Sequence, residues 1–280
     1  MADEKISQPG WIGDPPPVTP PPGWRVWLRI LRRGVPAIGI LALGVPVLVL
    51  LRAVERVFAG PRRPVTGPFV QMVCRGVLFA IGLRWRRIGR PMTGPGAVVA
   101  NHSSWLDIFT LNSAMPVFFV AKSEVSTWPG INILTRVTDT HFVARDRRFA
   151  AAQSAQFASR TRNGHRLLFF PEGTSSDGIR VLPFKPTLFQ GFLDPDLPRD
   201  LAVQPVTAIY HAPENSDPRI YGWWGDMALG PHILAVLALK RQGRVDIVLH
   251  EPVPVGGKDR KTLSRLTEEA VRGALPFAQG

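Results

Sequence analysis

The feature that most constrains the fold is an alternation of short strand-like runs and longer helical stretches, which begins near Arg84. Short runs rich in β-branched and aromatic residues are separated by longer stretches in which apolar residues have helical spacing. The strand-like runs are 97–100, 117–120, 140–143, 167–170 and 203–210, and the helical stretches are 105–114, 147–163 and 261–274. Strands that alternate with helices form layered α/β folds. We therefore predict an α/β fold: a single layered domain over residues 84–275, with a mixed central sheet flanked by helices.

Residues 24–83 differ in character and are predicted to form membrane-associating helices. Gly34 to Leu51 carries no charged residue, but this run is slightly shorter than the roughly 20 residues of a spanning helix, and two prolines and two glycines interrupt it. A second apolar stretch, Phe69 to Leu83, is the candidate second arm of an anchoring helical hairpin. The alternative is that both stretches are core helices of a soluble domain. Residues 1–23 are rich in proline and are predicted to be a disordered tail.

The charge balance predicts a polyanionic partner. The chain has 34 Lys and Arg against 21 Asp and Glu, a formal net charge of +13. Nucleic acid and an anionic membrane both qualify, but the basic residues flank the apolar run and form no groove-reading motif, so the membrane is the simpler partner. Basic residues on both flanks fit both ends of the run on the cytoplasmic side, with the domain facing the cytoplasm, at the inner membrane if the chain is bacterial. The single cysteine, Cys74, excludes an intramolecular disulfide and fits a reducing compartment.

A histidine and a carboxylate stand close together after the first strand-like run of the domain, in Asn-His-Ser-Ser-Trp-Leu-Asp over residues 101–107. On a regular helix His102 and Asp107 would lie about 140° apart. They can meet if His102 occupies the strand-to-helix turn and Asp107 the first helical turn. The carboxylate would then fix one imidazole nitrogen, leaving the other free to take a proton from a hydroxyl. No serine or cysteine nucleophile is required.

A second polar element ends another strand-like run, in Leu-Leu-Phe-Phe-Pro-Glu-Gly-Thr over residues 167–174. A glycine and a carboxylate at the end of a strand place backbone N–H groups and a polar side chain at the edge of the sheet, where α/β proteins bind ligands.

The other histidines have no partner at a useful spacing and are assigned structural or surface roles. The sequence has no metal-binding motif and no nucleophile elbow, and we expect no metal and no cofactor.

These segments resemble the glycerolipid acyltransferase family, of the 1-acylglycerol-3-phosphate acyltransferase type. Its four blocks occur in order as 101–107, 130–145, 170–174 and 203–206. The resemblance implies that His102 and Asp107 form the catalytic dyad, and that Pro205 helps to shape the acyl-donor side. The substrate-binding residues it implies are Arg145, Glu172, Gly173 and Thr174, and Lys122 is a further candidate for this role. It also implies a lysolipid acceptor and a donor that is acyl-CoA or an acyl-carrier protein thioester.

One departure from the family pattern concerns the acceptor. Many members that form phosphatidic acid have an arginine after the Phe-Pro-Glu-Gly-Thr block, where this chain has Ser175. Lys122, Arg180 and Lys185 are candidates to compensate. The segments 120–129, 172–178 and 223–232 are similar to lyso-ornithine-lipid acyltransferases. The sequence therefore predicts an O-acyltransferase that acts on a lysophospholipid of the 1-acylglycerol-3-phosphate type, or alternatively on lyso-ornithine lipid. An alternative of another class is a non-catalytic basic module that binds lipid or nucleic acid.

Overall fold

The computed structural model describes the chain in several stretches: residues 23–60, 62–94, 96–122, 140–143, 157–194, 197–198 and 200–276. Residues 1–22 of the predicted disordered tail and Arg145 lie outside these residues. For residues 121, 122 and 141–143, which include Lys122, the structure describes the backbone alone.

The amino-terminal region is a pair of packed helices, α1 (Trp24–Ala59) and α2 (Thr66–Ile81). The helices approach closely at Gly44, where a Cβ atom would lie 3.0 Å from Val73 Cγ2. At the turn between them, the Glu55 carboxylate accepts the backbone N–H of Val65 at 2.6 Å and that of Thr66 at 3.1 Å. These bonds satisfy donors at the start of α2 that have no partner within the helix.

Helix α1 is longer and more continuous than its sequence suggested. It runs for 36 residues through both Pro36 and Pro46. Within the described residues it is the one helix long and apolar enough to cross a membrane, judged by length and composition. Proline removes a single backbone donor, and packing along the rest of the helix compensates for that loss.

Two arginines at the amino end of α1 have a role that the sequence did not indicate. They belong to the basic residues that flank the apolar run. In addition, Arg33 donates to the carbonyl oxygens of Leu237 and Leu239 at 2.7 and 2.5 Å, and Arg29 donates to that of Ala238 at 2.8 Å. These carbonyls end helix α4 (Leu229–Ala238), where a cation both fills unpaired acceptors and complements the helix dipole.

The domain is built on a mixed sheet, as predicted. Its strands are β1 (Arg84–Ile88), β2 (Gly96–Ala100), β3 (Phe118–Lys122), β4 (His141–Val143), β5 (Leu167–Phe169), β6 (Ala202–His211), β7 (Arg244–Leu249) and β8 (Val253–Pro254). The order is β1-β7-β6-β2-β5-β3-β4, and β8 pairs with β6. The strands from β6 to β4 in this order are parallel, while β7 is antiparallel to β6 and parallel to β1.

Helices cover both faces of the sheet, as predicted. Val98 and Ala100 of β2 face a core shared with α1, α2, α4 and α3 (Asp107–Ala114). Ala97 and Val99 face a second core, which includes α5 (Arg260–Gly273) and a 3-10 helix (Pro186–Leu193). Alternation along β2 therefore buries it on both sides, which explains its unbroken apolar sequence.

Candidate active site

The two polar elements meet because their strands are neighbours. Strands β2 and β5 pair in parallel, with Val99 opposite Phe169. On its other side β2 pairs with β6, where Ala100 lies opposite Val206. Because parallel strands end at the same edge of a sheet, the segments after β2 and β5 lie side by side.

His102 and Asp107 are in direct contact. The distance from His102 Nδ1 to Asp107 Oδ2 is 2.8 Å. His102 lies in the turn after β2 and Asp107 is the first residue of α3. The side chain of His102 is 24% exposed, whereas that of Asp107 is 0% exposed. A carboxylate only accepts hydrogen bonds, so it holds the imidazole as the Nδ1–H tautomer and leaves the Nε2 lone pair free.

The Asp107 carboxylate is bonded on both oxygens. Oδ2 also accepts the backbone N–H groups of Ser103 at 2.8 Å and Ser104 at 3.0 Å. Oδ1 accepts the Tyr210 hydroxyl at 2.7 Å. A fully buried carboxylate needs such donors, and these fix its orientation toward His102.

Neighbouring residues hold the turn that carries His102. Asn101 bonds the backbone of β6, where its Oδ1 accepts the Ala208 N–H at 2.8 Å and its Nδ2 donates to the Ala208 carbonyl at 3.0 Å. Ser176 donates its backbone N–H to the His102 carbonyl at 2.8 Å, and Trp223 donates its own to the Ser103 carbonyl at 2.8 Å. Phe170 stacks on the imidazole, with ring centroids 4.0 Å apart. Asn101 of the motif thus has a structural role, because it ties the turn to the backbone of β6.

Glu172 lies beneath the turn and is 2% exposed. Its Oε1 accepts the backbone N–H of His102 at 2.7 Å, and its Oε2 accepts that of Leu182 at 2.7 Å. Burial raises the pKa of this carboxyl to about 8, and the negative charge of Asp107 acts in the same direction. The predicted contact between Glu172 and the acceptor head group would require this buried side chain to become accessible, and it stays a prediction.

Gly173 has a conformation that suits glycine. Its φ is +74°, and a Cβ atom there would lie 2.7 Å from Lys185 Nζ. The glycine therefore lets the Lys185 side chain pass over the backbone of the second motif. Thr174 follows in the same loop and is partly exposed. Arg145 lies outside the described residues, and for Lys122 the structure gives only the backbone position at the end of β3.

Two groups near the site were not assigned from the sequence. The Trp105 indole N–H donates to His232 Nδ1 at 2.9 Å, and burial lowers the pKa of His232 to about 4, so it is neutral near pH 7. Tyr210 contacts Asp107 from β6. The sequence around these residues does not indicate either contact, because the two partners are 127 positions apart in the first contact and 103 in the second.

A histidine oriented by a buried carboxylate, at the ends of parallel strands, is typical of proteins that transfer protons to and from a substrate hydroxyl or leaving group. Comparisons with known proteins specify the family. A family model described as Acyltransferase matches residues 87–208. The chain is 46% identical to a lyso-ornithine lipid O-acyltransferase of Rhodobacter capsulatus, over 96% of this chain and 98% of that protein.

More distant matches agree. A 1-acyl-sn-glycerol-3-phosphate acyltransferase of Neisseria meningitidis is 31% identical over 72% of this chain and 78% of its own length. The crystal structure of the 1-acyl-sn-glycerophosphate acyltransferase from Thermotoga maritima shares the fold, with a TM-score of 0.57 and 21% identity over 88% of this chain and 96% of that one. The chain therefore belongs to the acyltransferase family and is an enzyme, which sets aside the non-catalytic alternative.

Proposed function

We propose that this enzyme transfers a fatty acyl group from a thioester donor to the free hydroxyl of a lyso-ornithine lipid. The observation that carries the acyl transfer is the contact between His102 Nδ1 and Asp107 Oδ2 at 2.8 Å, with the imidazole partly exposed. The relative at 46% identity over nearly the whole of both chains supports the acceptor.

The reaction needs one base and no enzyme nucleophile. His102 Nε2 takes the proton of the acceptor hydroxyl as its oxygen attacks the thioester carbonyl carbon. Asp107 stabilises the imidazolium that forms. When the tetrahedral intermediate collapses, the C–S bond breaks, and the imidazolium returns the proton to the departing thiolate. The new C–O bond is the ester of the product, and the free thiol leaves.

An exposed cation in the loop that bonds the turn of His102 supports an acceptor head group with a carboxylate. The loop that bonds the His102 carbonyl through Ser176 also carries Asp177 and Arg180, whose Nε lies 3.0 Å from Asp177 Oδ2. The Arg180 side chain is 44% exposed, whereas that of Asp177 is buried. An ornithine head group has one carboxylate and one ammonium, and a guanidinium suits a carboxylate. Ser175 stands where phosphatidic-acid-forming members of the family have a further cation.

The second candidate acceptor is 1-acylglycerol-3-phosphate. The Neisseria relative favours it, as does Lys185 lying close over Gly173. Lys122 and Arg145 would be further phosphate contacts. The donor is proposed to be acyl-CoA or acyl-carrier protein, either of which presents the same thioester.

The enzyme is further proposed to work at a membrane surface, with its domain on the cytoplasmic side. Large apolar side chains of α1 and α2 are exposed, including Trp27, Leu31, Ile38, Leu43, Leu50, Phe58, Met72 and Phe79. Water does not favour such a surface, whereas lipid does. A lysolipid and a long acyl chain would both reach the site from that interface.

The deciding experiment gives the purified full-length enzyme one labelled acyl donor with lyso-ornithine lipid and 1-acylglycerol-3-phosphate in parallel vesicles, and identifies the products by mass spectrometry. We expect ornithine lipid as the main product. Phosphatidic acid alone would overturn the acceptor assignment.

The base is tested by mutation. His102→Ala should lower the rate of acyl transfer by roughly 10²–10⁴, and unchanged turnover would overturn the assignment of the base. Repeating the assay with acyl-CoA and acyl-carrier protein identifies the donor.

A further inference from the structure

The Asp107 carboxylate has a further hydrogen-bond donor, Tyr210, which belongs to none of the four motifs. Oδ2 is shared by the His102 imidazole and two backbone N–H groups, while the donor to Oδ1 among the described residues is the Tyr210 hydroxyl, at 2.7 Å. Tyr210 lies on the central strand β6 and is buried.

From this geometry we propose that Tyr210 is a positioning residue for the reaction, which holds the Asp107 carboxylate in the orientation that faces His102. This proposal rests on the proposed roles of His102 and Asp107. Tyr210 does not touch substrate, because its side chain is enclosed by the core between the sheet and α3. It acts through Asp107.

The direction of the hydrogen bonds follows from the groups involved. An ionised carboxylate can only accept, so the single phenolic hydrogen of Tyr210 points at Asp107. The Thr110 hydroxyl, 3.2 Å from Tyr210 Oη, is then the donor in that second contact. Burial and the charge of Asp107 raise the pKa of Tyr210 well above its usual value, so the phenol keeps this proton throughout the working pH range. A chain of donors therefore runs from Thr110 through Tyr210 and ends at Asp107 Oδ1, while Asp107 Oδ2 accepts from the His102 imidazole.

Loss of the phenolic hydroxyl should change proton binding by the dyad. The hydroxyl stabilises the negative carboxylate, which is the form present when His102 is ready to act as a base. Without that donor the carboxylate attracts a proton more strongly, whether the proton sits on the imidazole or on Asp107 itself. The apparent pKa of the pair must therefore rise.

Other titratable and charged groups face the pair and have to be kept constant. Glu172 approaches from the loop after β5, Asp177 and Arg180 from the loop that bonds the His102 carbonyl, and His232 from α4 through Trp105. Tyr221 packs against Tyr210, with ring centroids 5.7 Å apart. None of these is altered in a comparison of the wild-type enzyme with Tyr210→Phe, so a displaced limb of the pH profile reports the lost hydroxyl.

The test is the pH dependence of kcat/KM for the full-length enzyme in lipid vesicles, with the acceptor and donor that give the higher rate. Tyr210→Phe should displace the rising limb upward by about one pH unit and lower kcat roughly tenfold, with both KM values nearly unchanged. Tyr221→Phe is the matched control, because Tyr221 is an equally enclosed tyrosine whose hydroxyl bonds Gln242 and the Gly243 N–H instead. It should leave the limb in place.

If the rising limb of the pH profile is unchanged in a folded Tyr210→Phe enzyme, the proposal is overturned. An equal displacement of that limb in Tyr221→Phe would overturn it as well. If Tyr210→Phe does not fold, Thr110→Val decides. That variant removes the donor to Tyr210 and should displace the limb in the same direction by less, whereas no displacement would count against the proposal. Retained activity in His102→Ala would instead reject the proposed dyad, so the two failures are distinguishable.

Discussion

Glu172 accepts the backbone N–H of His102 at 2.7 Å, so the side chain of the second motif is bonded directly to the histidine of the first. The other Glu172 oxygen bonds Leu182 at 2.7 Å. This single side chain therefore ties the turn after β2 to the loop after β5. Replacing this buried side chain should therefore change the stability of the folded protein as well as its activity.

We expect Glu172→Gln to alter how stability depends on pH. The pKa of Glu172 is raised from 4.5 to about 8, so between these values the folded state binds one proton more than the unfolded state. Stability from this group is therefore greatest at low pH and falls as pH rises, by up to about 1.4 kcal/mol per pH unit. Glutamine lacks this titration, and its NH₂ group cannot accept one of the two backbone N–H groups. Tm measured from pH 5 to 8 should show the largest gap between wild type and variant at pH 5. Parallel curves would contradict this account.

Gly173→Ala should destabilise the enzyme. Its φ of +74° disfavours a Cβ, and the new atom would meet Lys185 Nζ. The backbone strain is worth about 1–2 kcal/mol. Gly191→Ala is the matched control, because a Cβ there meets nothing within 4 Å and its φ is not positive. Chemical denaturation of both variants checks the difference, and equal losses would show that the turn at Gly173 tolerates a side chain.

Arg180 is expected to govern affinity for the acceptor. Arg180→Gln should raise KM for lyso-ornithine lipid roughly tenfold and change kcat little, because it removes a charge-assisted hydrogen bond to the carboxylate of the substrate. Arg180→Lys keeps the positive charge near Asp177, so its KM should lie between those of the wild type and Arg180→Gln. Arg265→Gln serves as the control, since Arg265 pairs with Glu269 on the exposed face of α5. Initial rates at varied acceptor concentration measure the effect, and a change confined to kcat would remove Arg180 from the head-group site.

The exposed apolar surface of α1 is expected to bind lipid. Leu43 and Phe58 are 75% and 85% exposed, so Leu43→Asp and Phe58→Asp should spare the fold. Each aspartate placed in the lipid would weaken binding by roughly tenfold or more. Flotation with neutral phosphatidylcholine vesicles excludes simple charge repulsion. Leu188→Asp, on the exposed side of the 3-10 helix, is the control and should float like wild type. Full flotation of both α1 variants would show that this surface does not hold the enzyme on lipid.

The sequence by itself determined the features that are local in the chain. The alternation of strand and helix patterns specified a layered α/β domain, because each periodicity fixes which face of an element is apolar. His102 and Asp107 are five positions apart, so a strand-to-helix turn was enough to bring them together. The order of the four motifs also gave the family. Helix α1 and strand β1 were less evident, since prolines break the pattern of the first and arginines occupy both faces of the second.

Only the tertiary structure decided what supports the dyad. Glu172 reaches His102 across 70 positions and Tyr210 reaches Asp107 across 103, and both contacts exist because β2 lies between β5 and β6. Likewise, Arg33 caps α4 across 204 positions, although its sequence context resembles a membrane flank. Strand order and burial create these contacts, and the periodicity of a single segment carries no information about which distant segment will cover it. The candidate base could be predicted from the sequence, but the groups that hold it could be identified only from the fold.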